Sequence, residues 1–201
     1  MSLLAFLLPV AGYLIGSLSS AVFVCRLLGL PDPRLEGSNN PGATNVLRLG
    51  GKKAAAITLA GDLAKGLVPV LIATGLGAAP GVVATTALGA FLGHLYPVFF
   101  GFRGGKGVAT AAGIWAAVSW QVILILVGIW LAVVLASRYS SLAALSATAA
   151  LPLVLLYVGS DRAFVAVSLV MTVLLVWRHR TNIGRLVRGE ESRVRLTFPK
   201  S

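Results

Sequence analysis

Charge is what this chain has least of. Only 11% of its 201 residues are charged, against roughly 25% in ordinary soluble domains. Six of them are acidic and seventeen are Lys or Arg. With 57% hydrophobic residues and a mean hydropathy of +0.90, a solvated globular surface is excluded and an integral membrane protein is expected. The single cysteine, Cys25, lies inside an apolar run, which excludes a disulfide framework and leaves it as a small core hydrophobe. Two histidines and few carboxylates give no Cys/His set or acidic cluster suited to a transition metal, so no metal or other cofactor is expected. The net charge of +11 comes from short basic caps between apolar runs. It forms no contiguous polar face, and nucleic acid is not an expected partner.

The apolar runs define the fold class: an all-α membrane protein with seven transmembrane helices. They cover about Leu3 to Leu28, Ala54 to Leu76, Val82 to Phe100, Val108 to Val118, the stretch after Ser119-Trp120-Gln121 to Ala136, the stretch after Ser141 to Val158, and Ala163 to Trp177. No basic segment precedes the first run and no processing site is evident, so it is expected to be retained. The fourth run is too short to cross alone unless tilted or extended by its neighbours. The polar Ser-Trp-Gln break, with Trp120 as an interfacial anchor, favours separating it from the fifth. In the first run, Gly12 and Gly16 form a small-residue stripe for close helix packing. Asp62 and Lys65, spaced i,i+3 near the start of the second, are expected to pair and buttress the site. His94 is expected to be a hydrogen-bonding structural residue.

Basic residues set the orientation. With seven crossings, every one of the 17 Lys and Arg residues except Arg162 falls on the side opposite the N-terminus. The positive-inside rule then makes the C-terminus cytoplasmic and the N-terminus external. Four polar segments meet on that cytoplasmic face, at about residues 29–53, 101–107, 138–141 and 178–191.

Two of these segments carry an anion-binding composition. Gly101-Phe102-Arg103-Gly104-Gly105-Lys106-Gly107 is a glycine-rich basic loop whose N–H groups can turn toward one anion beside a lysine. It is not a Walker A loop: Phe100 stands where the leading glycine would be, and Gly107 replaces the magnesium-binding Ser/Thr. Nucleotide hydrolysis is therefore not expected. The stretch from Gly37 to Arg48 interleaves Ser38, Thr44, Asn45 and Arg48 with Gly and Asn, a density of donors that a simple tether does not need. No His-x₄-Asp pair exists, because Phe99 follows His94 and Gly184 follows His179 at that spacing. The cations, amides and hydroxyls that remain can hold two phosphates beside a lipid phase, and electrostatic positioning suffices if a substrate brings its own leaving group. A metabolite carrier would place polar groups at midplane depth and often shows internal repeats; here the polar motifs cluster at one side.

Three stretches carry a resemblance over nearly the whole chain. Gly37 to Arg48 continuing through Gly50-Gly51-Lys52, Gly93-His94 through Thr110, and Arg178-His179-Arg180-Thr181-Asn182-Ile183-Gly184-Arg185-Leu186 resemble, in order, the three cytoplasmic motifs of bacterial acyl-phosphate:glycerol-3-phosphate acyltransferases, the PlsY family. The resemblance implies a single acyltransferase domain over residues 1–201 in the bacterial cytoplasmic (inner) membrane, its active site facing the cytoplasm. The implied reaction moves an acyl group from acyl phosphate to the 1-hydroxyl of glycerol 3-phosphate, giving lysophosphatidic acid and inorganic phosphate in phospholipid synthesis. No acyl-CoA or acyl carrier protein is implied as direct donor. Partners are then the two substrates and the bilayer; nothing fixes an oligomeric state, and a monomer suffices. Lys106, His179, Ser38 and Arg48 are the implied catalytic residues, and Thr44, Asn45, Gly104, Gly105, Gly107, Ser141 and Asn182 line the substrates. His179 is read as a substrate-positioning residue, with base catalysis as its other role and a substrate phosphate oxygen as the alternative proton acceptor. Glu190 and Glu191 are read as a solvated pair or as tethers for Arg185 or Arg188. Arg193, Arg195 and Lys200 are expected to meet anionic headgroups.

Overall fold

The helices follow the apolar runs and break where small polar residues interrupt them. The structure, a computed structural model, describes residues 3–194; Arg195 and Lys200 lie outside them. Nine α-helices and no strands occur among the described residues: α1 Leu3–Gly16, α2 Ser20–Leu27, α3 Ala43–Gly75, α4 Pro80–Leu95, α5 Val108–Val118, α6 Trp120–Ser137, α7 Ser140–Tyr157, α8 Arg162–Arg178 and α9 Arg180–Val187. A 3₁₀ turn at Val98–Phe100 follows α4.

The first apolar run is broken between α1 and α2, and the break exposes the Leu18 carbonyl. Lys65 of α3 donates to it at 2.9 Å and lies 2.8 Å from Asp62 Oδ1, a charge contact without hydrogen-bond alignment at that oxygen. His94 Nδ1 is 3.7 Å from the same oxygen and 3.1 Å from Thr110 Oγ1. The Asp62–Lys65 pair and His94 are thus buried stitching across the breaks of the bundle, in the structural roles expected of them.

Glycine explains how α1 and α4 meet. A Cβ on Gly16 would lie 2.1 Å from the Ala90 carbonyl oxygen, and one on Gly93 2.2 Å from that of Tyr13. The Gly12/Gly16 stripe therefore faces a second stripe, Gly89/Gly93, at backbone contact. Gly16→Val is expected to force the helices apart and destabilise the protein by about 1–3 kcal/mol or more. Gly128→Ala, at a position with open space around it, is the control. Thermal melting in detergent checks both, and equal melting temperatures would contradict the packing account.

By length and composition, five segments can cross a membrane: Leu3–Leu27, α3, Pro80–Phe100, α6 and α7. The α8 and α9 helices pass the same test only when the pair, bent by 58°, is taken as one span. The fourth run behaves differently from its neighbours. As expected it is separate from α6, the chain turning at extended Ser119. At 11 residues, however, α5 is about 16 Å long, short of the roughly 30 Å hydrocarbon layer. It is encased in protein instead: Ile114 and Trp115 are buried, and Gly113 lets its backbone touch that of α3 at Leu63.

The first polar stretch is not all loop. After residues 28–42 the chain enters α3 at Ala43, and a non-helical Gly51 (φ 76°, ψ −172°) divides that helix. Asn45, Val46 and Arg48 thus sit on a short helical segment ahead of the membrane-crossing part.

Candidate active site

Four connections meet at one end of the bundle, and specific bonds join them. Arg34 donates to the Phe100 carbonyl at 3.3 Å, tying the first loop to the glycine loop. Arg178, at the end of α8, grips that loop from the other side, Nε to Gly105 O at 3.0 Å and Nη2 to Gly104 O at 2.5 Å. Tyr96 lies under the same guanidinium, 5.7 Å from ring centre to Cζ. The Val194 N–H bonds the Arg138 carbonyl at 2.7 Å, returning the tail to the α6–α7 turn. Arg193 donates to Tyr139 Oη at 3.2 Å, so this one of the three expected headgroup contacts has a partner within the protein.

The glycines of the loop are required by close approach. A Cβ on Gly104 would fall 2.1 Å from the His94 carbonyl, one on Gly105 2.3 Å from His94 Nε2, and one on Gly107 2.3 Å from the Phe91 ring. Gly107 also has φ +87°, a left-handed conformation open to glycine, as it caps α5. The loop is thereby pressed onto the end of α4, and Lys106 is presented beside it, half-buried.

Lys106 Nζ donates to Asn182 Oδ1. The Asn182 amide in turn donates to Glu191 Oε1 at 2.6 Å, as does the Ser141 hydroxyl at 2.7 Å. Arg185 Nε donates to Glu191 Oε2 at 2.7 Å. Burial alone would raise the Glu191 pKa, but the bonds from Asn182, Ser141 and Arg185 outweigh it and hold the carboxyl below its ordinary range. Three of the residues expected at the site, Lys106, Ser141 and Asn182, are therefore joined by a fourth, Glu191, for which the sequence alone predicts a solvated acid or a simple tether. Glu190 is the solvated one, pairing with exposed Arg188.

His179, at the bend between α8 and α9, bonds the Leu175 carbonyl through Nδ1 at 2.9 Å. A carbonyl only accepts, so Nδ1 carries the hydrogen and Nε2 is left as an acceptor. Burial, reinforced by the Lys106 and Arg178 charges against the Leu175 bond and Glu191, lowers its pKa to about 4, which makes the ring neutral in neutral solution.

The first motif divides by burial. Asn45 is buried and spends its amide on the loop itself, accepting from the Ser38 N–H at 2.9 Å and donating to Pro33 and Glu36 carbonyls. Ser38, Thr44 and Arg48 are exposed, and the Arg48 charge reaches Lys106.

Burial first, then the charges of Arg185, Arg178 and Arg48, lower the Lys106 pKa to about 8, with Glu191 opposing them. Below that pH the ammonium is charged and attracts phosphate; above it the charge is lost. The kcat/KM for a phosphate-bearing substrate is expected to fall as pH rises through about 8, the limb that belongs to the free protein. A bound dianion stabilises the ammonium, so the limb of kcat belongs at higher pH. A kcat/KM that stays level through this range would contradict a charged Lys106 in binding.

Fold and site together define a polytopic helical membrane protein with a cation-lined polar site at one end. A family model described as glycerol-3-phosphate acyltransferase matches residues 6–189. Curated glycerol-3-phosphate acyltransferases of Thioalkalivibrio sulfidiphilus and Methylococcus capsulatus are 55% and 56% identical, covering 96% and 94% of this chain and 95% and 94% of their own. The crystal structure of PlsY (YgiH), an integral membrane glycerol 3-phosphate acyltransferase, in its glycerol 3-phosphate form superposes with a TM-score of 0.90 at 43% identity, covering 95% of this chain and 96% of that one. Its lysophosphatidic acid form gives 0.88 at 42% identity, over 95% of each chain. The chain belongs to the glycerol-3-phosphate acyltransferase family, and it is an integral membrane acyltransferase.

Proposed function

We propose that this protein transfers a fatty acyl group from acyl phosphate to the 1-hydroxyl of glycerol 3-phosphate, releasing lysophosphatidic acid and inorganic phosphate for phospholipid synthesis. The observation that carries the proposal is the meeting of Lys106 with Asn182, Ser141, Glu191 and Arg185 beside a glycine loop clamped by Arg178. Lys106, with the loop, holds one phosphate; Arg48, with Ser38 and Thr44, holds the other. Gly104, Gly105 and Gly107 shape the loop, while Asn45 holds the first motif in place. The glycerol 3-phosphate and lysophosphatidic acid forms of the PlsY neighbour support glycerol 3-phosphate as acceptor and the lysolipid as product.

In this scheme the hydroxyl oxygen attacks the acyl carbonyl, the carbonyl–oxygen bond to phosphate breaks, and the anhydride supplies its own leaving group. The developing oxyanion faces Lys106 or a loop N–H. A phosphate oxygen of bound substrate takes the hydroxyl proton, and neutral His179 positions the acceptor through Nε2. His179→Gln is expected to lower turnover by about 10²-fold, the usual order for lost positioning. Near-normal kcat and KM in that variant would remove His179 from the mechanism.

One domain over residues 1–201 crosses the bacterial inner membrane seven times, α5 making a short crossing inside the protein. One entering element, α1 with α2, and three there-and-back pairs, α3/α4, α5/α6 and α7/α8, bring all four motif segments to the cytoplasmic end and leave the N-terminus outside. A monomer contains every proposed site residue. Cysteine replacements at Gly189 and Gly159 test the topology: an impermeant maleimide added to intact cells should label position 159 and spare position 189. The donor is tested by offering palmitoyl phosphate and palmitoyl-CoA to the purified protein with glycerol 3-phosphate. Product from the acyl phosphate alone is expected, and equal use of the thioester would overturn that part of the proposal.

A further inference from the structure

A second cluster of cations lies outside the site just described. Arg26, Arg34 and Arg103, with Leu35, Phe99 and Phe100, line a surface cavity of about 580 Å³. Its guanidiniums come from the last turn of α2, the first loop and the start of the glycine loop. The cations that act on Lys106 are Arg185, Arg178 and Arg48, a different set.

Local charge is not balanced there. Asp32 is committed to Arg34, accepting from its Nε at 3.0 Å and its Nη2 at 2.6 Å; this pairing holds the Asp32 carboxyl below its ordinary range. Among the described residues no salt bridge engages Arg26 or Arg103, and both are exposed. Arg34 also donates to Phe100 O and lies over the Phe100 ring, so it is held in place rather than free to swing.

The wall beside these cations is apolar and open. Phe99 and Leu35 are 56% and 66% exposed, and Phe23, one turn before Arg26 on α2, packs edge-on against Phe100. Arginine in the last turn of a lipid-facing helix reaches for the headgroup level. Guanidinium groups match phosphate oxygens in paired hydrogen bonds. A soluble anion would need the cations but not the exposed phenyl and leucine wall.

We propose that Arg26, Arg34 and Arg103 form a second anion site, which holds the phosphate of an anionic membrane phospholipid and lays one of its chains along Leu35, Phe99 and Phe23. The site keeps a lipid of the surrounding leaflet bound beside the glycine loop and takes no part in acyl transfer.

Detergent-purified protein, mixed with phosphatidylglycerol or phosphatidylcholine and examined by native mass spectrometry, tests it. The wild type is expected to retain phosphatidylglycerol over phosphatidylcholine. Arg26→Ala/Arg103→Ala should weaken that retention at least about tenfold, the order set by two headgroup contacts, and Arg26→Ala alone should leave acyl transfer unchanged. Arg26→Lys/Arg103→Lys should restore most of it. If the alanine pair melts below the wild type, Arg103→Gln alone carries the comparison, with a weakening of about threefold or more. Unchanged retention in the variant that is folded would overturn the proposal. So would removal of phosphatidylglycerol by millimolar inorganic phosphate, marking a site for soluble anions, or by palmitoyl phosphate at concentrations that support turnover, marking a substrate site.

Discussion

Lys106→Ala is expected to lower acyl transfer by about 10²–10³-fold, the cost of deleting one preorganised charge at a reacting centre, while leaving the melting temperature of the protein near that of the wild type. The side chain is half-buried and its one hydrogen bond among the described residues, to Asn182 Oδ1, joins two polar groups at the end of the bundle. The loop's shape does not depend on it. Gly104 and Gly105 are pinned by Arg178, the Gly105 N–H bonds His94 O at 3.2 Å, and Gly107 caps α5. Lys106→Arg is not expected to rescue, because a planar guanidinium replaces a compact point charge. Steady-state kinetics with both substrates, beside a melting curve, separates loss of charge from loss of fold. Turnover within a few-fold of the wild type would remove Lys106 from the chemistry.

Glu191→Ala should be nearly as damaging by a different route. One carboxylate receives Ser141, Asn182 and Arg185, and its side chain is 8% exposed. Its loss leaves three donors without their acceptor, and Asn182 is then free to turn away from Lys106. A misplacement of about 1 Å at a site of this kind costs on the order of 10²-fold in rate. Here melting should fall as well, because breaking charge-assisted hydrogen bonds costs about 1.5–3 kcal/mol for each donor left unpaired, discounted for half-exposed Arg185. Glu191→Gln keeps an oxygen for one or two donors and should fall between alanine and wild type in both readouts. Equal stability and activity in all three proteins would show that Glu191 is the solvated acid its neighbour Glu190 is.

Much of this architecture was legible because membrane burial writes itself into long apolar runs. The break before Trp120, the Gly12/Gly16 stripe and the Asp62–Lys65 pair follow from local spacing alone. The length of α5 and the second glycine stripe at Gly89 and Gly93 were harder to read. Whether 11 residues cross a membrane depends on what surrounds them, and which glycines touch depends on which helices are neighbours. At the site, composition pointed to Lys106, Ser141 and Asn182, yet the part played by Glu191 exists only after the tail folds back past Gly189. A carboxylate in a basic tail beyond a helix-ending glycine was the available signal. Arg178 is equally hidden: in the sequence it is a cation flanking His179, and in the structure it clamps the glycine loop through the Gly104 and Gly105 carbonyls. Asn45 shows the reverse case, a polar residue of the first motif whose amide is used up by its own loop.

In the proposed reaction one cationic site brings an acyl phosphate and glycerol 3-phosphate together. Phosphate release by the purified protein in detergent, followed as glycerol 3-phosphate is added to palmitoyl phosphate, tests it most directly. Little release is expected without the acceptor, brisk saturable release with it, and one lysophosphatidic acid formed for each phosphate freed. Release that ignores glycerol 3-phosphate, or none in either condition with glycerol 3-phosphate carried into vesicles instead, would contradict it.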